Sequence, residues 1–269
     1  MEEAVMKLGY LSIPPVFPQG RGPGRPDAGA RAQLAEALGF SEFYAALPET
    51  GAPLSIDSPE RQALLRIVSD SPVRKLPELI SVDGVSKKES SQAPGPLAAL
   101  FECVDAARAQ SAQGRAPLSV SWLDIDMLAR HWAAHVTGCT HAARCARRQD
   151  WRIARTVVVD DDPARAEAIA KAPDSPCRAY YRGTLSPGAD DAAVESRIDD
   201  CVFYGTQATV LGRLQEMVHA IGTFGTLTFV DHAWADAARA RQSLILFADA
   251  VSQNQRSHTQ RKYRKLELA

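Results

Sequence analysis

The chain has 269 residues, 45% of them hydrophobic and 23% charged, with a formal net charge of −1; this suits a globular protein with a sizeable core and falls within the length of one α/β barrel. A charge so near zero gives no long-range attraction for nucleic acid or an anionic membrane, so neither is expected as a partner. No apolar run approaches the roughly 20 residues of a bilayer span, and the acidic start Met1-Glu2-Glu3 is unlike a basic secretory leader, which points to a cytoplasmic protein.

Residues 6–13 alternate as a short strand that stops at Pro14-Pro15, and a Pro-, Gly- and Arg-rich loop follows. An Ala-rich helix over 27–38 has Asp27 and Gly39 where caps belong. Residues 41–46 read as a second strand, completing a βαβ unit of the right-handed kind. Asp57-Ser58-Pro59-Glu60 opens another helix with a capping-box spacing. Leu79-Ile80-Ser81-Val82 is a further strand candidate, 87–94 an exposed loop, and 96–112 a helix.

From there strand and helix alternate regularly. Residues 117–122 form a strand and 124–144 a long helix. The segment from Trp151 to Asp160, with Thr156-Val157-Val158-Val159 at its end, is a strand with both faces covered, as parallel sheets require. A helix over 163–172, a looser stretch over 174–200, a strand over 201–204 and a helix over 208–221 ended by Gly222 come next. Residues 225–230 form the last strand and 235–253 the last helix. The expected fold is α/β, a (β/α)8 TIM-barrel-like domain over 1–253 that is shortened in its middle. Residues 254–269, with Arg256, Arg261, Lys262, Arg264 and Lys265, read as a solvated, partly disordered basic tail. Five cysteines, Cys103, Cys139, Cys145, Cys177 and Cys201, are odd in number and lack CxxC spacing, as in a reduced compartment.

Two segments resemble the luciferase-like flavin monooxygenases. One runs from Ser121-Trp122 through His131-Trp132 to Trp151-Arg152-Ile153-Ala154-Arg155 and Asp160-Asp161-Asp162-Pro163-Ala164-Arg165. The other comprises Tyr204-Gly205-Thr206-Gln207-Ala208-Thr209-Val210, Gly222-Thr223-Phe224-Gly225-Thr226-Leu227, Trp234-Ala235-Asp236 and Arg241-Gln242-Ser243-Leu244. The resemblance covers roughly 6–50 and 116–253, and order and spacing make the set more specific than any single motif. It implies a barrel oxidoreductase using reduced FMN, supplied by a separate flavin reductase, and dioxygen on a small organic substrate. It also implies a homodimer paired through helices. The chain departs from the family at Ala46-Leu47-Pro48-Glu49, where relatives carry Gly-Glu-His-His, and no Gly/Arg-rich phosphate segment stands between Ile56 and Pro96. In this it resembles shortened relatives whose barrels have lost elements.

Barrels place their working residues at the C-terminal ends of strands. That selects Ser12 and Pro14; Glu49; Ser121, Trp122 and Asp124; Asp160; Gly205 and Thr206; and Asp231, His232 and Trp234. Trp122, with Ser121, is an apolar wall for a flavin ring or else core packing. Gly205-Thr206 is an anion-suited helix start or else a plain cap. His232, beside Asp231, titrates near neutrality and suits proton transfer, or is a surface histidine. Glu49 is an acid–base candidate because it stands where the resemblance puts catalytic residues. His131, His135 and Cys139 stack over two helical turns and cannot converge on one ion, so no metal is expected. Two alternatives stand beside the monooxygenase: a non-catalytic flavin-binding or accessory barrel, and a barrel recruited to non-redox biosynthesis with Glu49 or His232 as base.

Overall fold

The computed structural model describes residues 6–12, 28–45, 98–101, 104–185, 188–231 and 237–267. Pro14, Glu49, His232 and Trp234 lie outside the described residues, as do the expected helix after Asp57, the strand at Leu79–Val82 and the loop at 87–94. Seven strands and eight helices are among those described. In chain order they are β1 (Lys7–Ser12), α1 (Ala28–Ala37), β2 (Glu42–Ala45), β3 (Ala98–Phe101), α2 (Val104–Ala112), β4 (Ala116–Ser119), α3 (Ile125–His141), β5 (Arg152–Val159), α4 (Pro163–Lys171), α5 (Pro176–Gly183), α6 (Asp191–Cys201), β6 (Val202–Gly205), α7 (Gln207–Ile221), β7 (Thr226–Asp231) and α8 (Ala237–Glu267).

Local chemistry explains the helix starts. Asp124 accepts from the Met127 N–H, Asp162 from Ala164 with Pro163 in the first turn, Asp190 from Ala193, and Thr206 from Thr209. Gly222 ends α7 at φ +82°, a conformation that penalises other residues.

Every strand pair is parallel, and the path β2-β1-β7-β5-β4-β3 follows chain order around a ring, with first and last strands adjacent. This is barrel order. Residues 46–97, between β2 and β3 in sequence, lie outside the described residues. β6 stands off the path: it is an added strand on the C-terminal half of β5 and not a member of the ring, as the sequence reading had it.

Three expectations are corrected. Ala98-Ala99-Leu100-Phe101, read as helix, is β3, because pairing with Ala116 to Ser119 overrides the helical preference of alanine and leucine. The loose stretch 174–200 contains α5 and α6, started by the Ser175 and Asp190 caps. The last helix runs on to Glu267 through the segment expected to be a partly disordered tail.

The two faces of the sheet differ in chemistry. Tyr10, Leu227, Phe229, Ile153, Val157 and Val159 pack outward into one apolar core with Phe40, Leu214, Leu244 and Phe247 of the helix layer. The alternate residues in register, Gly9, Glu42, Arg152, Ala154, Thr226 and Thr228, share the other face. There the Arg152 guanidinium grips the Glu42 carboxylate at 2.8 and 3.0 Å, both groups buried. β2 and β5 are three strands apart, about 14 Å in a flat sheet. Side chains stand perpendicular to a sheet, so only a strongly curled one lets these two meet. That ion pair fixes which face is concave. Gly9 keeps the interior passable: a Cβ there would lie 2.9 Å from Thr228 Oγ1.

Candidate active site at the C-terminal rim

The C-terminal ends of β5 and β7 and the first turns of α8 enclose a cleft of about 420 Å³, counting the solvent at its mouth. Val159, Asp160, Phe229, Asp231, Arg239 and Ser243 line it. β5 ends there because Ser243 Oγ accepts from the Val159 N–H at 2.9 Å, tying strand to helix. Asp160 follows, gripped by Arg165 at 2.6 and 2.8 Å and accepting from the Asp162 N–H. The hydrogen bonds from Arg165 hold the Asp160 carboxyl down at about 2, so it is an anion at any working pH.

Asp231 ends β7, is buried, and accepts a hydrogen bond from the Tyr10 hydroxyl. The Tyr10 ring in turn stacks on Phe229, with centroids 6.3 Å apart. By strand alternation Asp231 shares the parity of Leu227 and Phe229, so its carboxylate faces the helix layer and the cleft beneath α8, away from the concave face. The sequence singled out Asp231 and Asp160. It missed Tyr10, Arg239 and Ser243, since Tyr10 stands mid-strand and the others are ordinary residues of the first two turns of α8.

Gly205-Thr206 stands beside this cleft, linked through the Asp160 N–H to the Gly205 carbonyl at 3.0 Å. Thr206 is the N-cap of α7, its hydroxyl accepting from Thr209. Gly205 makes the turn at φ +128°, and a Cβ there would stand 3.0 Å from the Thr209 methyl. Cap and anion site are compatible: the cap takes one first-turn N–H and leaves others facing out.

Ser121 and Trp122 lie after β4, apart from the cleft lining. Both are buried, and α5 and α6 cover them. The Trp122 ring meets Tyr180 edge-on at 6.5 Å, and its carbonyl accepts from Arg197 at 2.6 Å. The Tyr181 hydroxyl bonds Thr156 Oγ1 at 2.8 Å. The helix pair that the sequence hid therefore occupies the wall proposed for a flavin ring.

His131, His135 and Cys139 are buried on α3. His135 Nδ1 pairs with Ser111 Oγ at 2.7 Å, which joins α3 to α2. Burial, with help from Arg130, lowers His131 to about 4; burial also lowers His135 against an opposing pull from Asp150. Both are neutral near pH 7. Among the described residues, no group of three or more His, Cys, Asp or Glu could hold a metal ion, and no helix is long and apolar enough to cross a membrane.

These features define a class: a parallel α/β protein in barrel order, with an added strand and its cleft at the carboxyl ends of the strands. Three solved structures share the fold along nearly the whole chain. Flavoprotein 390 matches at TM-score 0.56 and 10% identity, covering 96% of this chain and 99% of that one. Apo-MsnO8 matches at 0.54 and 16%, covering 92% and 98%. An F420-dependent secondary alcohol dehydrogenase in complex with an F420–acetone adduct matches at 0.52 and 12%, covering 91% and 99%. Against the oxygenating constituent of 3,6-diketocamphane monooxygenase from the CAM plasmid of Pseudomonas putida and monooxygenase RslO1 from Streptomyces bottropensis, the chain spans about half the length, 46% and 56%. No protein-family model matches the chain, and no curated protein matches it in sequence.

Proposed function

We propose that this protein is a divergent luciferase-like oxidoreductase that works with a cofactor of the flavin class. In its finer form the cofactor is reduced FMN delivered by a separate reductase in the cytoplasm. One atom of dioxygen goes to a small organic substrate and the other to water, with the two electrons coming from the flavin. The observation that carries the reading is the end-to-end likeness in fold to flavoprotein 390 and to a dehydrogenase holding an F420 adduct. The sequence motifs at Trp151–Arg155 and Tyr204–Val210 agree with it.

The residues present fit such a cofactor at one end. A phosphate suits the first-turn N–H groups of α7 at Gly205-Thr206, where the helix dipole favours negative charge. A bound flavin would supply the redox chemistry. The chain's own part would be to hold that phosphate, keep water from the rim, and keep Asp160 ionised through Arg165. At the ring end the fit is poor, because Tyr180 covers Trp122.

That covering favours a second reading, a flavin-binding barrel without turnover that acts as an accessory subunit or homodimer. One experiment separates them. Purified full-length chain is titrated anaerobically with FMNH₂, and aerobically with FMN and F420, by calorimetry; oxygen uptake is then followed with a panel of small ketones, aldehydes and alkenes. Micromolar binding with substrate-dependent uptake beyond free-flavin autoxidation supports the oxidoreductase. Binding without such uptake supports the accessory role. Absence of binding to all three removes both and leaves non-redox chemistry.

A further inference from the structure

β5 changes neighbours halfway along. Arg152 and Ile153 pair with β4, while Thr156 to Val159 pair with β6. Both neighbours occupy the same edge, since Arg152 pairs at once with β4 and β7, and Thr156 at once with β6 and β7. Between them, at Ala154 and Arg155, no register joins that edge to β4 or β6. Sheets open crevices where neighbouring strands part, and such switch points are where α/β folds bind ligands.

Arg155 fills the fork. It is fully buried, donating from Nη1 to the Ala154 carbonyl and from Nη2 to the Leu123 carbonyl, both at 2.9 Å. Those bonds use two of five donors, and the Nε–H has no acceptor. Among the described residues no carboxylate pairs with it at salt-bridge distance; burial disfavours its charge, and Asp124 offsets this only from further off, so a buried cation rests mainly on carbonyl dipoles, a costly arrangement. Arg155 floors a crevice of about 260 Å³, counting solvent at its mouth, walled by Ile125, Phe203 and Arg213. The Phe203 ring lies near both guanidiniums, 6.0 Å from Arg155 Cζ and 5.5 Å from Arg213 Cζ. Asp200 and Glu216, both exposed, also line it.

We propose that this fork is a second binding site, separate from the rim, for a small monocarboxylate. A planar carboxylate matches the Nε–Nη edge of a guanidinium, and one negative charge balances the buried cation. The two acids repel a phosphate dianion and favour a ligand whose far end is neutral or cationic. The size of the crevice limits that ligand to a few heavy atoms beyond its carboxylate.

Thermal melting of the full chain in sodium chloride, acetate, propionate or phosphate at equal ionic strength tests this. Acetate and propionate raise the melting temperature saturably in the millimolar range, phosphate does no more than chloride, and Arg213→Gln weakens the carboxylate effect at least tenfold in midpoint. Saturation-transfer NMR on the propionate methyl reads the same contrast where a variant melts too early to compare. Equal melting in propionate and chloride, an equal gain with phosphate, or an unchanged midpoint in Arg213→Gln overturns the proposal.

Discussion

Removing the Glu42 carboxylate tests whether the sheet curls as described. Glu42→Gln leaves Arg152 buried, bonded to the Asp150 carbonyl at 2.8 Å but without its bidentate partner. Breaking a buried pair from one side costs about 3–5 kcal/mol, because the remaining charge stays desolvated. Both side chains retain under a tenth of their exposure, so solvent screening takes little from that figure. We take about 3 kcal/mol, which for a chain of this size lowers the melting temperature by roughly 6–12 °C. Replacing both partners, Glu42→Leu with Arg152→Met, restores most of the loss, since an apolar pair carries no desolvation cost. The assay is urea unfolding of the parent, both single variants and the double variant, read as a coupling energy. Coupling of about 2 kcal/mol or more is expected. Coupling below about 0.5 kcal/mol would mean that the two groups reach water separately. β2 and β5 would then not face each other across a concave surface, and the barrel reading would go with them.

Acid should weaken the fold through His131. Its folded pKa, about 4, lies below the ordinary 6.5, so the unfolded chain binds the extra proton. The stabilisation is present above pH 6.5 and is lost as pH falls toward 4; by pH 5 about 2 kcal/mol is gone, which the urea midpoint between pH 7.5 and 5 should report and which His131→Phe should flatten. Gly205→Ala forces an L-residue to φ +128° with its Cβ against Thr209. It should cost about 1–3 kcal/mol and, on the proposed reading, weaken FMN binding well beyond Thr206→Ala. Unchanged affinity in Gly205→Ala would remove this turn from the phosphate site. Arg148 donates to the Ile221 carbonyl at 2.7 Å and lies 4.1 Å over the Trp132 ring. Arg148→Ala should cost about 2 kcal/mol in chemical denaturation, and Arg148→Lys should recover only part of it, since an ammonium lacks the planar stacking surface.

Much of the architecture was legible because it rests on local pattern. The valine run of β5 reads as a strand buried on both faces, and all eight of its residues are buried. Asp124, Asp162 and Gly222 mark helix ends by their own chemistry. What escaped depends on partners distant in sequence. Ala98–Phe101 has a helical composition and becomes strand only by lying beside β4. β6 reads as an ordinary barrel strand, and nothing local says that it joins β5 on the edge that β4 has left. The site follows the same division. Gly205-Thr206 was visible as a turn before a helix. The covering of Trp122 was not, because it needs Tyr180 and Arg197 from helices whose fold-back is a tertiary event.

The arginines of the Trp151–Arg155 strand carry that point furthest. In sequence they are two equivalent marks of a motif, but alternation would send neighbours at odd spacing to opposite faces, and that is where they go. Arg152 turns inward and meets Glu42 across the curled sheet, a pairing that only tertiary curvature brings about. Arg155 turns outward into the fork between β4 and β6, where its hydrogen bonds go to two carbonyls. One is a satisfied ion pair that shapes the concave face. The other is a buried cation short of an acceptor, and an unmet requirement of that size is where a ligand gains most by binding. The strand that marks the fold therefore also separates its two candidate sites, the rim at Val159–Asp160 and the fork at Arg155. A loss of flavin affinity at the first and a loss of carboxylate affinity at the second should be separable by single substitutions fewer than six residues apart on β5.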